Sequence, residues 1–246
     1  MSANIDLFKK AAIRAHNFQA VPRDLSLIIK DIDTTKQKSQ PIKEIFTLPQ
    51  TKIISEAFFF VQKELPSATL NHSLRVYQYG LSMAEDFFSD WQLNKETWAL
   101  ACLFHDIGTS GHSGASTLLS FEYHGGILTH TKLRDWKSPL EQCDAVAEAI
   151  IRHQDIDDIG KGNITRLGAL LQLATLYDNA GQFSELIHPI TLENVTIEYP
   201  RLKWSTCFSA VIAHECESKP WCHTTKIGKQ EFLSMIKDNT LGNSRE

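Results

Sequence analysis

Apolar residues along the chain recur at spacings of three and four, the period of an amphipathic helix, from about residue 49 onward. In "LPQTKIISEAFFFVQKELP" Ile53, Ile54, Ala57, Phe58, Val61 and Leu65 fall on one face between two prolines, which mark helix limits. The segments "NHSLRVYQYGLSMAEDFF", "KETWALACLFHDIG", "ASTLLSFEYHGGIL", "PLEQCDAVAEAIIRHQD" and "NITRLGALLQLATLYDNAG" repeat that logic, each predicting an amphipathic or buried helix. No β-branched run alternates with period two, no repeat is visible, and no Gly/Ser linker divides the middle of the chain. The pattern therefore predicts a single all-α domain over 49–235. Residues 1–48, with the polar run "DTTKQKSQP", read as a partly irregular, loosely attached extension with one or two short helices, and 236–246 as a tail.

Four polar groups interrupt the apolar faces. His72 shares a stripe with Val76, Tyr79 and Met83 and should point inward. Trp98, Ala101, Cys102 and His105 form a second stripe that Asp106 extends, with Gly108 placed to serve as a helix C-cap. Ile164, Leu167, Leu171 and Ala174 or Thr175 form a third stripe, which Asp178 ends just before the stop signal of Asn179 and Gly181. Taken singly, His72 reads as a satisfied core histidine, and Asp178 either as a ligand or as a helix-end group bonded to backbone. Taken together, two carboxylates and two imidazoles buried without a cation would cost several kcal/mol in desolvation. A divalent metal compensates all four, and such an N2O2 set suits zinc, iron, manganese or cobalt better than calcium.

Composition adds bounds. The 246 residues are 42% hydrophobic, enough for a substantial core. A formal net charge of -4 offers no general attraction for nucleic acid or an anionic membrane. The absence of an apolar run of about 18 residues and of a leader pattern predicts a cytoplasmic protein, with the nucleus left open. The five cysteines lack CxxC spacing, so neither a disulfide framework nor a thiolate zinc site is expected, and Cys102 and Cys143 read as core residues.

The pattern H…HD…D formed by His72, His105–Asp106 and Asp178 resembles the HD-domain superfamily, and within it the fungal cyanamide hydratases. The segments "LNHSLRVYQYG", "CLFHDIGT", "SFEYHGGIL", "AEAIIRHQD", "GALLQLATLYDNAG", "YPRLKW" and "KPWCHT" carry this likeness in order, over most of residues 65–225. The resemblance implies a compact helical bundle around one central metal, most simply Zn2+ with Fe2+ as the alternative. It also implies addition of water to the nitrile carbon of cyanamide, giving urea. Four protein ligands on a six-coordinate ion would leave two positions for water and substrate.

Further site residues follow from the same faces. Thr175, one turn before Asp178, should approach the substrate, unless its hydroxyl bonds its own i−4 carbonyl. His153 ends the stripe Cys143, Val146, Ala147 and Ile150, either facing the site or acting as a core or capping histidine. Glu122 is a candidate proton relay, with a solvated carboxylate as the plainer expectation. Asn71, Thr109, Trp221 and His223 are candidate substrate contacts; "PWCHTT" lies beyond the last expected helix, where Trp221 either covers the pocket or closes the core. His112, His124 and His130 are offset from the stripes and expected at the surface or in loops. The expected partner is a small neutral nitrile or isonitrile rather than nucleic acid or membrane, with a homodimer left open. The main alternative is an HD-type phosphohydrolase. It is disfavoured because Thr109 stands where many such enzymes carry lysine, because no phosphate loop appears, and because Arg75 and Arg152 are expected on the outer flanks of their helices.

Overall fold

The computed structural model describes residues 2–40, 47–111, 117–156, 162–226 and 229–239. His112, residues 115–116 of the expected "ASTLLSFEYHGGIL" helix and residues 240–246 of the expected tail lie outside them. Eleven α-helices and one two-stranded ribbon form the described chain. In order they are α1 (Ser2–Ala15), β1 (Ala20–Pro22), α2 (Leu25–Ile29), α3 (Lys52–Glu64), α4 (Ser67–Phe87), α5 (Lys95–Phe104), α6 (Phe121–Asp135), α7 (Leu140–Arg152), β2 (Asn163–Thr165), α8 (Arg166–Ala180), α9 (Pro189–Glu198), α10 (Trp204–Ser218) and α11 (Lys229–Lys237). No described helix is long and apolar enough to cross a membrane.

Helix α4 is the axis of the bundle. Every residue from His72 to Ala84 is buried, because α3, α5, α8, α9 and α10 surround it. Close approach to α5 requires Gly80, since a Cβ there would lie 2.0 Å from Cζ2 of Trp98. Local side-chain caps start several helices: Thr51 accepts from the Ile54 amide, Asn94 from Thr97, and Thr165 from Gly168. Gly181, at φ 66°, ends α8 in the left-handed conformation that glycine adopts without strain. Cys102 and Cys143 are fully buried free thiols in this core.

Several boundaries differ from the sequence expectation. Asn163–Thr165, expected in the α8 helix, forms β2, which pairs antiparallel with β1 in the register Ala20↔Thr165, Val21↔Ile164 and Pro22↔Asn163. Residues 117–120 precede α6 instead of forming its first turn: the carbonyls of Leu118 and Leu119 accept from Trp221 Nε1 and Lys219 Nζ, both at 2.8 Å, and so are committed outside a helix. The N-terminal segment is fastened, not loose. Asn17 is fully buried, its Nδ2 donating to Trp91 O at 2.7 Å and its Oδ1 accepting from the Asn94 amide, and Leu25 enters the core. At the other end, α11 runs past the expected tail boundary at 235/236. Its Ile236 is 1% exposed and packs with Phe121, Trp204, Phe208 and Ile212, so "PWCHTT" is followed by a further helix.

Candidate metal centre

The last turn of α5 fixes the orientation of His105. Its Nδ1 donates to Cys102 O at 2.8 Å, leaving a lone pair on Nε2. Asp106 follows at φ −102° and ψ 9°, where the helix gives way to a turn that carries the carboxylate to the same side. Gly108 is needed for close approach rather than as a helix cap: a Cβ would meet Phe121 O at 2.0 Å, where α6 begins. Thr109 Oγ1 donates to Asp106 O at 2.7 Å and steadies the turn.

From α4, His72 Nδ1 donates to Asp178 Oδ2 at 2.6 Å, so its lone pair too lies on Nε2. That atom is 3.0 Å from His105 Nε2 and 3.6 Å from Asp106 Oδ2, which is itself 3.3 Å from His105 Nε2. The tautomers these bonds favour turn both Nε2 atoms toward the Asp106 carboxylate. Burial would lower the His105 pKa, but Asp106 outweighs it and raises it, so in metal-free protein a proton on His105 Nε2 partly compensates the cluster, and a bound cation would replace that proton. Both Asp106 oxygens are buried without a hydrogen-bond partner among the described residues. Such an arrangement is unfavourable alone and is compensated by a cation. Chosen donor atoms of His72, His105 and Asp106 lie within 4.8 Å of one another, and all three residues are buried. Burial pushes the His72 imidazole down to about 4, keeping it neutral and able to bind metal near neutral pH. Burial alone would raise the Asp106 carboxyl, but the His105 imidazole, whose own pKa that carboxylate raises, outweighs it and holds it below the usual range.

Asp178 is placed differently from the other three expected ligands. It stands behind His72, and a bidentate guanidinium holds it: Arg75 Nε donates to Oδ1 at 2.9 Å and Nη2 to Oδ2 at 2.8 Å. Arg201 Nη1 adds bonds to Oδ1 and to the Asp178 carbonyl, each at 3.1 Å, and Asn239 Nδ2 reaches the same carbonyl at 3.0 Å. Burial would raise this carboxyl, but Arg75 and Arg201 outweigh it and hold it well below its ordinary value. Arg75, expected on an outer flank, is fully buried. A helix enclosed on all sides has no outer flank, so a stripe on one face does not expose the other.

His153, at the end of α7, is 1% exposed. Its Nδ1 donates to Ile150 O at 2.6 Å, and its Nε2, without a hydrogen-bond partner among the described residues, lies 3.8 Å from Asp106 Oδ1. Burial lowers its pKa, so a neutral imidazole presents a proton acceptor beside the cluster.

The model of the HD domain matches residues 69–181. Cyanamide hydratase DDI2 of Saccharomyces cerevisiae is 37% identical to this chain over 228 residues, which cover 92% of the chain and 98% of that relative. The chain belongs to the HD-domain family. Cyanamide hydratase DDI3 of the same yeast matches with the same 37% identity over 228 residues. The HD match and the converging donors together make this a candidate divalent metal site.

Other expected residues are distributed around this HD centre. Thr175 is 4% exposed, and its hydroxyl bonds Leu171 O at 2.9 Å and Gln172 O at 3.1 Å, the i−4 arrangement. Glu122, whose plainer expectation was a solvated carboxylate, is fully buried, because α6 packs that face against the segment after α10; its Oε1 bonds His223 Nδ1 at 2.8 Å while Oε2 has no partner among the described residues. The Glu122 bond raises the His223 pKa. Asn71 is turned to Pro200 O at 2.8 Å. Trp221 is 61% exposed and clamps Leu118 O, so it does not close the core. His124 is half-buried, and His130 pairs with Asp144 at the surface.

Arg201 was not singled out as a functional residue from the sequence, although "YPRLKW" contains it. Two successive non-glycine residues, Leu202 at φ 53° and Lys203 at φ 59°, take the left-handed conformation immediately after it. This reversal delivers Arg201 to Asp178 and starts α10 so that Trp204 stacks on His72, with centroids 4.2 Å apart and planes 13° apart. Such local strain persists only where surrounding contacts over-determine it.

Proposed function

We propose that this protein is a metal-dependent hydratase that adds water to the nitrile carbon of cyanamide to form urea. The observation carrying the proposal is the convergence of His72 Nε2, His105 Nε2 and the unpartnered Asp106 carboxylate beside the free Nε2 of His153. The names of the two yeast relatives supply the substrate.

In this reading His72, His105 and Asp106 hold one divalent transition metal, zinc in the first instance and iron as the alternative, which supplies Lewis-acid activation of water or nitrile. Asp178 positions His72 by accepting its Nδ1 proton, and Arg75 and Arg201 keep that carboxylate ionised. His153 Nε2 accepts the proton that water loses as oxygen bonds to carbon, and returns it to the nitrile nitrogen, giving isourea. The Thr175 hydroxyl, its own proton directed to Leu171 O, offers lone pairs to a substrate N–H and so orients the amino group. Tautomerisation of isourea to urea completes the addition without a leaving group.

The buried arginines revise one argument against phosphate chemistry, since the interior does contain cationic side chains. Their donors, however, are directed to Asp178 and to neighbouring acceptors: Arg75 Nη1 to the Tyr199 and Pro200 carbonyls, Arg201 Nη2 to Ser205 Oγ. The reading is tested by supplying metal-loaded protein with cyanamide and, in parallel, with deoxynucleotides and p-nitrophenyl phosphate. Urea release that chelator abolishes and added zinc or iron restores is expected. Phosphate release without urea would replace this reading by the phosphohydrolase one.

A further inference from the structure

We propose that α11 forms the wall that limits substrate size, with Met235 and Ile236 as the specificity-determining side chains. The inference rests on the hydratase reading for the identity of the substrate, and on the packing of α11 for the size limit.

A small cavity lies between His153 and Thr175 on one side and Met235 and Ile236 on the other, with Gln154 and Asn179 among its lining residues. Its room for water centres is ≈ 10 Å³, about enough for one water. The space beside His153 is thus almost filled by protein; Ile156, Leu176 and Ala180 supply part of its apolar lining, and Met235 and Ile236 of α11 supply the rest. Ile236 cannot swing away: it is 1% exposed and packed with Trp204 and Phe208, and the Trp204 ring is stacked on His72. Beyond the helix, Asn239 ties the chain to the Asp178 carbonyl at 3.0 Å. The ring that orients His72 and the side chain that narrows the cavity therefore belong to one packed unit. Met235 is half-buried and unbranched, the more compliant part of the wall.

A linear molecule of three heavy atoms presents one small end group to such a space, and an N-alkyl substituent would contact Ile236 first. Discrimination of one methyl group by a rigid apolar wall is typically about 10- to 200-fold in kcat/KM. Ile236→Ala and Met235→Ala enlarge the cavity, and Ile236→Val does so by one carbon, which keeps the test usable where alanine disturbs folding.

The experiment measures kcat/KM for cyanamide and N-methylcyanamide on metal-loaded wild type and the three variants, with bound metal quantified in each. In parallel, cobalt-loaded proteins are titrated with acetonitrile and isobutyronitrile while the visible spectrum is followed. The expected result is a rise of roughly 10-fold or more in the N-methylcyanamide to cyanamide ratio for Ile236→Ala. A smaller rise is expected for Ile236→Val, together with a matching shift in relative affinity toward the bulkier nitrile. Unchanged ratios in both assays in all folded, metal-bound variants would overturn the proposal. A size shift in the titration alongside no urea formation by wild type would instead support the wall and reject the hydratase reading.

Discussion

Replacing Asp106 by asparagine keeps the side chain's size but removes the charge and turns an amide toward lone pairs on His72 and His105, so bound metal should fall to a small fraction of wild type. Elemental analysis after dialysis checks this, and full occupancy would reject the ligand assignment. Asp178 predicts a different pattern because its oxygens face His72 Nδ1 and two guanidinium groups. Asp178→Asn should weaken metal affinity by about 10- to 100-fold, as expected when an orienting partner is lost. Asp178→Ala leaves Arg75 and Arg201 without their carboxylate and should lower stability by roughly 3–5 kcal/mol, read from denaturant unfolding. Thr175→Val keeps the shape of the side chain and removes the lone pairs offered to substrate. Metal should be retained and kcat reduced, and wild-type kinetics would return Thr175 to a helix-bonding role only.

At the scale of elements, the turn between α9 and α10 carries a cost that its contacts offset. Lys203, at φ 59° and ψ 38°, sits where a β-branched side chain is strained and glycine is not. Lys203→Gly should melt at or above the wild-type temperature and Lys203→Val below it; equal losses in both would show that the Lys203 side chain, not the backbone conformation, matters. The same scale explains which boundaries were legible. The starts of α3 and α5 are written locally, by Thr51 and Asn94; Thr165 caps α8 in the same way, but the apolar pattern runs on through Ile164 and conceals that the preceding residues pair with β1. The start of α6 is not written locally: Ser120 makes no side-chain capping bond, and the Phe121 amide donates instead to Glu215 Oε1, 94 residues away, at 2.8 Å. A cap supplied from another helix leaves no signature in the adjoining sequence.

For the whole molecule, acid should be destabilising in metal-free protein. His72 falls from an ordinary 6.5 to about 4 on folding, so between those values the unfolded chain binds more protons than the folded one. Its contribution is therefore present above about pH 6.5 and is lost as pH falls toward 4, amounting to roughly 3 kcal/mol. The lowered carboxyls of Asp106 and Asp178 act in the same direction at still lower pH. His153, also lowered, adds to this, whereas the raised His105 and His223 oppose it over the same range. Thermal midpoints of chelator-treated protein should decline from pH 7 to 4.5, and a rise would show that the raised histidines outweigh His72 and His153. The fastening of the N-terminal segment belongs here as well. Asn17→Ala removes both partners of Trp91 O and the Asn94 amide, and should cost about 1–3 kcal/mol in unfolding free energy.

The all-α bundle, the helices α3, α4, α5 and α7, the burial of His72, His105, Asp106 and Asp178, and the HD resemblance were all legible in the amino-acid sequence. These follow from local periodicity and from the cost of burying polar groups on apolar faces. Long-range packing set the rest: Asp178 meets His72 through Nδ1, Arg75 and Arg201 hold it, Glu122 pairs with His223, and Met235 and Ile236 of α11 line the cavity beside His153. A helical stripe states which face a residue occupies. Which atom meets which partner depends on chain segments tens of residues away, whose approach is set by packing around a fully enclosed α4 and by a strained turn after Arg201.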